Sequence, residues 1–379
     1  METKTVRLGD VANVNPRLPL TKGTVARKIP MEALTAHQRH IDSFIYEKYS
    51  GGVKFQNGDT LVARITPSLE NGKTSYVDLL DKDEIAFGST EFIVLRAKNK
   101  LILPKFLYYI SISDDFRQMA IQSMTGTSGR QRVQSESVIN YEFSLPDIEK
   151  QTAIVDLLDA IDQKLKINQQ INKNLLRLTK QQFNLTFPNV HEGNSRLSNV
   201  MENFDRKRIP LARREREKRQ GVYRYVGATS VLDYVDDYLF DGTYLLMGED
   251  GTVQDEKGFP ILQYIWGKFW PNNHTHVLSG TFVSTEWLYL FLMNTNVRSR
   301  ITGAVQQKIS QANMNSIPLT IPSKDELFRF QKQIEPVFSQ IQLLDEQNLK
   351  LTAIHKLLLP KLLAGQIDLS NLEGAIQNA

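Results

Sequence analysis

The order of apolar and polar positions divides this chain into alternating globular and rod-like stretches. Between residues 148 and 183 there is neither proline nor glycine. The apolar positions Ile154, Leu158, Ile161 and Leu165, then Asn168, Ile171, Leu175 and Leu178, advance by threes and fours. That alternation is a heptad seam rather than the broader stripe of a helix lying on a globule. About 35 residues at 1.5 Å each predict a helix of about 50 Å. A second seam follows 180 residues on: Ile334, Phe338, Ile341, Asn348, Leu351, Ile354 and Leu358. In this copy Pro336 is expected in a first turn, Pro360 is expected to end or kink the helix, and Gly365 to stop it.

Ahead of each rod the period changes to two. Tyr141, Phe143 and Leu145 alternate with polar residues up to Pro146, and Ile317, Leu319 and Ile321 alternate with Pro318 and Thr320 up to Pro322. Each run predicts a short strand with one buried face, closed by a proline that cannot continue the ladder. From Arg132 to Pro146 and from Lys308 to Pro322 the two copies correspond at a constant offset of 176. Upstream the match is looser. Val6–Val11 resembles Ser195–Val200, and Phe106–Ile110 resembles Trp287–Phe291, the latter two reading as helices that cover a sheet. Runs at 60–65, 92–96, 244–247 and 259–266 read as strands, with turns at Asn57-Gly58, Asn71-Gly72, Asp241-Gly242 and Asp250-Gly251. The linear division is globule 1–146, rod 147–187, globule 188–322 and rod 323–379. A helix with an exposed seam needs a partner, at about 1.5–3 kcal/mol for each buried Leu or Ile. The nearest partner is the other copy, which makes the chain a pseudo-dimer within itself. Asn168 and Asn348 hold equivalent seam positions. Either they face each other and fix the register, or they flank the seam in solvent.

Composition narrows the class. A chain of 379 residues suggests two or three domains. With 41% hydrophobic and 23% charged residues it is neither collagen nor a disordered tail. The absence of cysteine excludes disulfides, a thiolate nucleophile and a Cys-based zinc site. The opening METKTVRLGD lacks the apolar core of a secretory leader, and the longest apolar run, Trp287–Met293, is far short of the roughly 20 residues that span a bilayer. The expectation is a cytoplasmic protein without a membrane partner. Net charge is +4, yet residues 206–219 alone hold eight Lys/Arg against two Glu. That segment reads either as phosphate contact or as a solvated, charge-laced helix.

At this point the residues resemble a known family. The globule–rod–globule–rod order, the Arg7-Leu-Gly-Asp-Val11 opening, Gly88-Ser-Thr-Glu-Phe-Ile-Val-Leu95, the helix entry Leu145-Pro146-Asp-Ile-Glu149-Lys-Gln151 and Asn272-Asn-His-Thr-His-Val-Leu278 look like the specificity subunit of type I restriction–modification systems. The second helix entry, from Ile321 to Gln331, departs by four residues. The resemblance implies an α+β fold. Two α/β target recognition domains would be separated by two long helices paired as an antiparallel coiled coil, with pseudo-twofold symmetry. It implies double-stranded DNA as ligand, each domain reading one half of a split, asymmetric site in phage defence. It implies two modification (methyltransferase) subunits docked along the helices, and two restriction/translocase subunits in the full complex. S-adenosylmethionine would belong to the former, ATP and Mg²⁺ to the latter, and no cofactor or catalytic residue to this chain.

The residues agree with a non-catalytic role. There is no Asn/Asp-Pro-Pro-Tyr/Phe motif for clamping a flipped base. Gly72-Lys73-Thr74 ends like a phosphate loop, but Pro67 stands where its first glycine belongs. Asp250 with Asp255-Glu256-Lys257 only distantly echoes a nuclease set, and His37/His40 and His274/His276 need further ligands before they hold a metal. For DNA, affinity is expected from Lys/Arg on phosphates, and specificity from Arg/Lys to guanine or Asn/Gln to adenine. The first candidates are the loop Gly126, Ser128, Arg130, Gln131 and Arg132 and its counterpart Gln306, Gln307 and Lys308, whose recurrence reflects either a DNA role or a shared fold constraint. Added to them are Lys22, Arg27, Lys28, Arg64 and Lys73 in the first globule. In the second they are Arg206, Lys207, Arg208, Arg213, Arg214, Arg216, Lys268, Asn272 and Asn273. Tyr223, Tyr225 and Trp270 either pack on sugars and thymine methyls or belong to the core. Two rival classes stay open: a fused nuclease or methyltransferase, and a purely structural scaffold.

Overall fold

A computed structural model describes residues 4–98, 100–127, 129–303 and 306–367. The first rod is a helix over Ile148–Thr186 and the second a helix over Lys324–Leu363. Each begins on a side-chain cap. Asp147 Oδ1 accepts from the Lys150 amide at 2.9 Å. Ser323 Oγ accepts from the Glu326 amide at 3.3 Å while Glu326 Oε2 accepts from the Ser323 amide at 2.9 Å, a reciprocal capping box. That early start corrects the placing of Pro336. It lies well inside the helix, where its ring removes one backbone bond. Burial of Phe330, Ile334 and Phe338 around it keeps the helix continuous. Pro360 does not end the helix either. Buried Leu359 and Leu362 hold the last turn, and Gly365, at φ 66°, lies just past it.

The chain forms two compact units, one of residues up to Ile167 with those from Asn348 on, the other of Asn168–Gln347. Each unit owns half of each long helix. In the second unit Asn168 Nδ2 donates to Gln347 Oε1 at 2.7 Å, Asn172 Nδ2 to Asp345 Oδ1 at 2.7 Å and Gln182 Nε2 to Gln333 Oε1 at 2.6 Å. Numbers rise along one helix as they fall along the other, so the halves run antiparallel. In the first unit Ile154 and Leu158 share a core with Leu359 and Leu362. Ile154, Leu158, Ile161, Asn168, Ile334, Phe338 and Ile341 are buried; Leu165, Asn348 and Leu351 are half-buried. Three seam positions are corrected: Ile171, Leu178 and Ile354 are 39%, 54% and 45% exposed. Past Asn168 the buried line follows Leu175, Thr179 and Phe183, because here the helix faces a globule as well as its partner helix.

The globular parts of the two units share one topology. In the first, Lys4–Arg7 pairs antiparallel with Glu142–Leu145. A four-stranded antiparallel sheet runs Ala12–Val14, Phe92–Ala97, Thr60–Ala63, Thr74–Tyr76. A second sheet runs Ile45–Lys48, Val25–Ile29, Ala86–Gly88, Val53–Phe55, with its middle pair parallel. In the second unit the same orders recur. Ser195–Arg196 pairs with Pro318–Leu319. One sheet is Met201–Asn203, Thr275–Gly280, Tyr244–Gly248, Leu262–Ile265, and the other is Val231–Val235, Gln220–Val226, Lys268–Pro271, Phe240–Asp241. The run expected as one strand at 259–266 ends at Ile265, and the chain crosses to the second sheet at Lys268. Helices Pro104–Ile112 and Thr285–Met293 cover the first sheet of each unit.

One residue of each helix entry ties rod to globule. Gln151 is buried; its Oε1 accepts from the Leu103 amide at 2.9 Å and its Nε2 donates to the Pro146 carbonyl at 2.9 Å. At offset 180, Gln331 Oε1 accepts from Ser284 Oγ at 2.5 Å. The four-residue departure in the second entry therefore precedes Gln331 and leaves its role intact. No helix among the described residues is long and apolar enough to cross a membrane.

The rod halves are thus core elements, not appendages. Leu158→Ala, at a fully buried position, is expected to lower the unfolding free energy by about 3 kcal/mol. Leu185→Ala, 84% exposed, should change it by less than about 0.5 kcal/mol. Denaturant titration of the two variants checks the contrast.

Candidate nucleic-acid interface

The recurring loop closes the same way in both units. Thr125 and Arg132 exchange backbone hydrogen bonds at 3.1 and 2.9 Å, and Thr302 and Lys308 at 2.9 and 2.8 Å. Each is pinned again from the strand opposite. The Val133 amide donates to the Arg64 carbonyl at 2.8 Å, and the Thr66 amide to the Gln131 carbonyl at 3.0 Å. In the second unit the Ile309 amide donates to the Glu249 carbonyl and the Gly251 amide to the Gln307 carbonyl, both at 2.9 Å. Gly303 has φ 86°, and a Cβ there would stand 2.1 Å from the Gln306 carbonyl oxygen; Gly126 has φ 128°. The glycines are a constraint of the fold: a side chain would clash with backbone at Gly303 and would be held in a strained backbone conformation at Gly126.

The side chains around these loops fall into two groups. In the first unit Lys22 and Arg130 are exposed and form no ion pair among the described residues. Arg27 is spent internally: it meets Asp81 at 2.7 Å, the Leu79 carbonyl at 2.7 Å and the face of Phe44 at 4.7 Å. Lys28 pairs with Glu47 at 2.9 Å. Arg64 donates to the Val133 carbonyl at 2.9 Å and Lys73 to the Met31 carbonyl at 3.0 Å. Arg132 grips Glu91 at 2.6 Å and holds its carboxyl below the usual range. Gln131 is half-buried, and Ser128 lies outside the described residues.

In the second unit the basic segment begins as a single turn, Asp205–Lys207, and continues as a short helix, Arg213–Lys218. Arg206 and Arg214 are exposed without an ion pair among the described residues, and Arg213 is paired with Glu217 at 3.0 Å across one helical turn. Lys207 lies over Phe204 and Lys268 over Tyr238. Arg216 is turned inward, donating to the Leu211 carbonyl at 2.8 Å over the Tyr225 ring. Asn272 is buried, and its Oδ1 accepts from the His274 amide at 2.9 Å; Asn273 and Gln306 are exposed and Gln307 is half-buried. Tyr225 and Trp270 are core residues, 2% and 4% exposed, and the Tyr223 ring lies tilted against that of Tyr238.

A cluster that sequence spacing did not show braces both basic elements. His276 is fully buried, with Nδ1 2.6 Å from Asp205 Oδ2 and Nε2 2.9 Å from the Ile309 carbonyl. Arg208 reaches Glu249 at 2.7 Å and the Thr275 carbonyl at 2.6 Å, and Lys308 reaches Glu249 at 3.3 Å. Asp205, Glu249 and His276 stand close enough to share a metal ion. However, both nitrogens of the ring already face protein acceptors, and Arg208 and Lys308 balance the two carboxylates. The arrangement is a structural brace: it joins the start of the basic segment to the end of the second loop. Burial pushes Asp205 and Glu249 up, but hydrogen bonds from His276 and Arg208 outweigh it and hold both below the ordinary carboxylate range.

Comparison with known proteins places these features in a family. The family model described as type I restriction modification DNA specificity domain matches residues 1–177 and 192–353. The HindI specificity subunit of Haemophilus influenzae is 31% identical over 135 residues, 35% of this chain and 28% of that protein. The EcoAI specificity subunit of Escherichia coli is 28% identical over 212 residues, 52% of this chain and 35% of that protein. The chain spans 26% to 35% of the length of the curated relatives it matches. Among solved structures, the S subunit from M. genitalium aligns over 95% of this chain and 96% of that one, at 15% identity and a TM-score of 0.47. The HsdS subunit from Thermoanaerobacter tengcongensis aligns over 96% and 97%, at 17% and 0.39.

The brace has a pH signature. Carboxylates held below their ordinary values stabilise the fold above those values, and the contribution is lost as pH falls through them. Asp205→Asn should lower the melting temperature at pH 7, and the gap from the parent chain should close as pH falls below about 4. Thermal unfolding of both proteins across pH 7 to 3 provides the check.

Proposed function

The chain belongs to the type I restriction–modification DNA specificity family, and on that premise we propose that it selects the DNA sequence on which a type I complex acts. Each globule reads one half of a bipartite, asymmetric site. The paired helices set the number of unread base pairs between the halves and dock two modification subunits, with two restriction/translocase subunits joining in the full complex. The chain itself performs no chemistry; methyl transfer and cleavage belong to its partners. The supporting observation is the duplication: two units of one topology, each with a glycine-closed loop pinned at the same two places. Two similar but non-identical readers suit two non-identical half-sites.

The residue assignments follow from the division of the cations. Lys22, Arg130, Arg206, Arg213 and Arg214 are exposed and are assigned to phosphates. Gln131, Asn273, Gln306 and Gln307 are assigned to base edges, since a side-chain amide pairs with adenine. Arg27, Lys28, Arg64, Lys73, Arg132, Arg208, Arg216 and Lys308 shape the surface through the internal bonds described above.

Methylome sequencing of cells that express this chain with a modification subunit tests the reading. The expected footprint is interrupted, and a continuous footprint would refute it. Inserting one or two helical turns after Asn168 should lengthen the gap with both half-sites unchanged. Arg206→Ala with Arg214→Ala should weaken DNA binding about equally across sequences and reduce the salt slope by about two, as read by binding isotherms over a salt series.

A further inference from the structure

The first unit contains a buried charge cluster that the reading surface does not use. The Arg39 side chain is 1% exposed, and its guanidinium lies among three carboxylates. It is bonded to Asp159, with Asp162 at 3.7 Å and Asp78 at 3.6 Å. Lys105 pairs with Asp159 at 2.7 Å, and Tyr109 donates to Asp162 at 2.8 Å. His40 Nδ1 lies 3.2 Å from both Asp78 and the Lys166 ammonium, and His355 Nε2 is 3.6 Å from Asp162. Three cations face three carboxylates, with two histidines at the margin. The members come from every part of the unit: the 37–42 loop, the end of the sheet at Asp78, the covering helix, the first rod and the second rod. Backbone bonds stitch the loop to the sheet, since the Arg39 carbonyl accepts from the Tyr76 amide at 2.9 Å.

The second unit seats its globule differently. At the positions 180 residues on from Asp162 and Lys166 stand Gln342 and Glu346. Gln342 donates to Tyr264 at 3.1 Å and Glu346 accepts from Trp266 at 3.2 Å, while Tyr264 packs on Phe338 and Tyr289. That seat is aromatic and tolerant of small shifts. The ionic seat is more demanding: the buried Arg39 is bonded to Asp159 with Asp162 and Asp78 at 3.7 and 3.6 Å, and a shift of the globule would separate these charges with no water at hand to replace the partner.

We propose that Arg39 is a positioning residue for DNA recognition, locking the first globule onto the long helices of its own unit and so fixing the orientation in which that globule presents its loops. This rests on the bipartite reading above. If it is right, loosening the lock leaves the bases read by either globule unchanged and relaxes only the permitted gap between the half-sites.

The test uses the full chain in two measurements. The chain has no cysteine, so Lys82→Cys and Lys350→Cys, both exposed and both in the first unit, give one specifically labelled pair for single-molecule energy transfer. Arg39→Met with Asp159→Asn removes one charge of each sign. Arg39→Lys keeps the charge but loses the fork, and carries the test should the double variant not fold. Both should broaden the distance distribution, Arg39→Lys less. In the methylome assay, discrimination against gaps one base pair longer or shorter should fall by about tenfold, with both half-sites intact. An unchanged distance distribution would overturn the lock. A broadened one with an unrelaxed gap, or with altered half-site bases, would overturn its role in recognition. A continuous footprint from the parent chain would instead defeat the bipartite reading, and the distance measurement would still judge the lock.

Discussion

Antiparallel contact between halves of the two long helices underlies the core of each unit. In the second unit Phe183, Phe187, Trp287, Phe330, Ile334 and Phe338 form one cluster, so covering helix and rods share their apolar contacts. In the first, Phe106, Tyr109, Ile154, Leu158, Leu359 and Leu362 do the same. The rods cannot part without opening both globules. That coupling lets a rod act as more than a tether, because the N-terminus of each covering helix is indexed against it through Gln151 or Gln331.

Most cations near the loops hold the protein's own backbone. Arg64, Lys73 and Arg208 donate to carbonyls, and Arg132 and Lys308 neutralise carboxylates at the loop bases. Such internal use of charge orders the loops beforehand, and a loop ordered beforehand loses less entropy on binding any ligand.

The two units show how a duplicated framework diverges without losing register. Backbone bonds make Arg64, Glu91 and Arg132 the counterparts of Glu249, His274 and Lys308: the Arg64 amide meets the Glu91 carbonyl just as the Glu249 amide meets that of His274. The cation at the loop base is kept. Its carboxylate partner has moved from the strand start, at Glu91, to the position that corresponds to Arg64. Local charge balance is preserved while the surface chemistry changes.

Spacing along the chain was enough to reveal the rods, the duplicated strand before each rod and the offset between copies, because a period of 3.5 or 2 is a local consequence of which face is buried. Ser323 and Glu326 also carried a readable capping signal that would have placed Pro336 inside the helix. Contacts across the fold decided the rest. The burial of Thr179 in place of Leu178, the crossing between sheets after Ile265, and the enlistment of Arg39 by carboxylates 120 residues away all depend on partners brought together only when the chain closes. No pattern confined to neighbouring residues encodes such partners, and a lone arginine in sequence looks the same whether it will meet a phosphate or a buried aspartate.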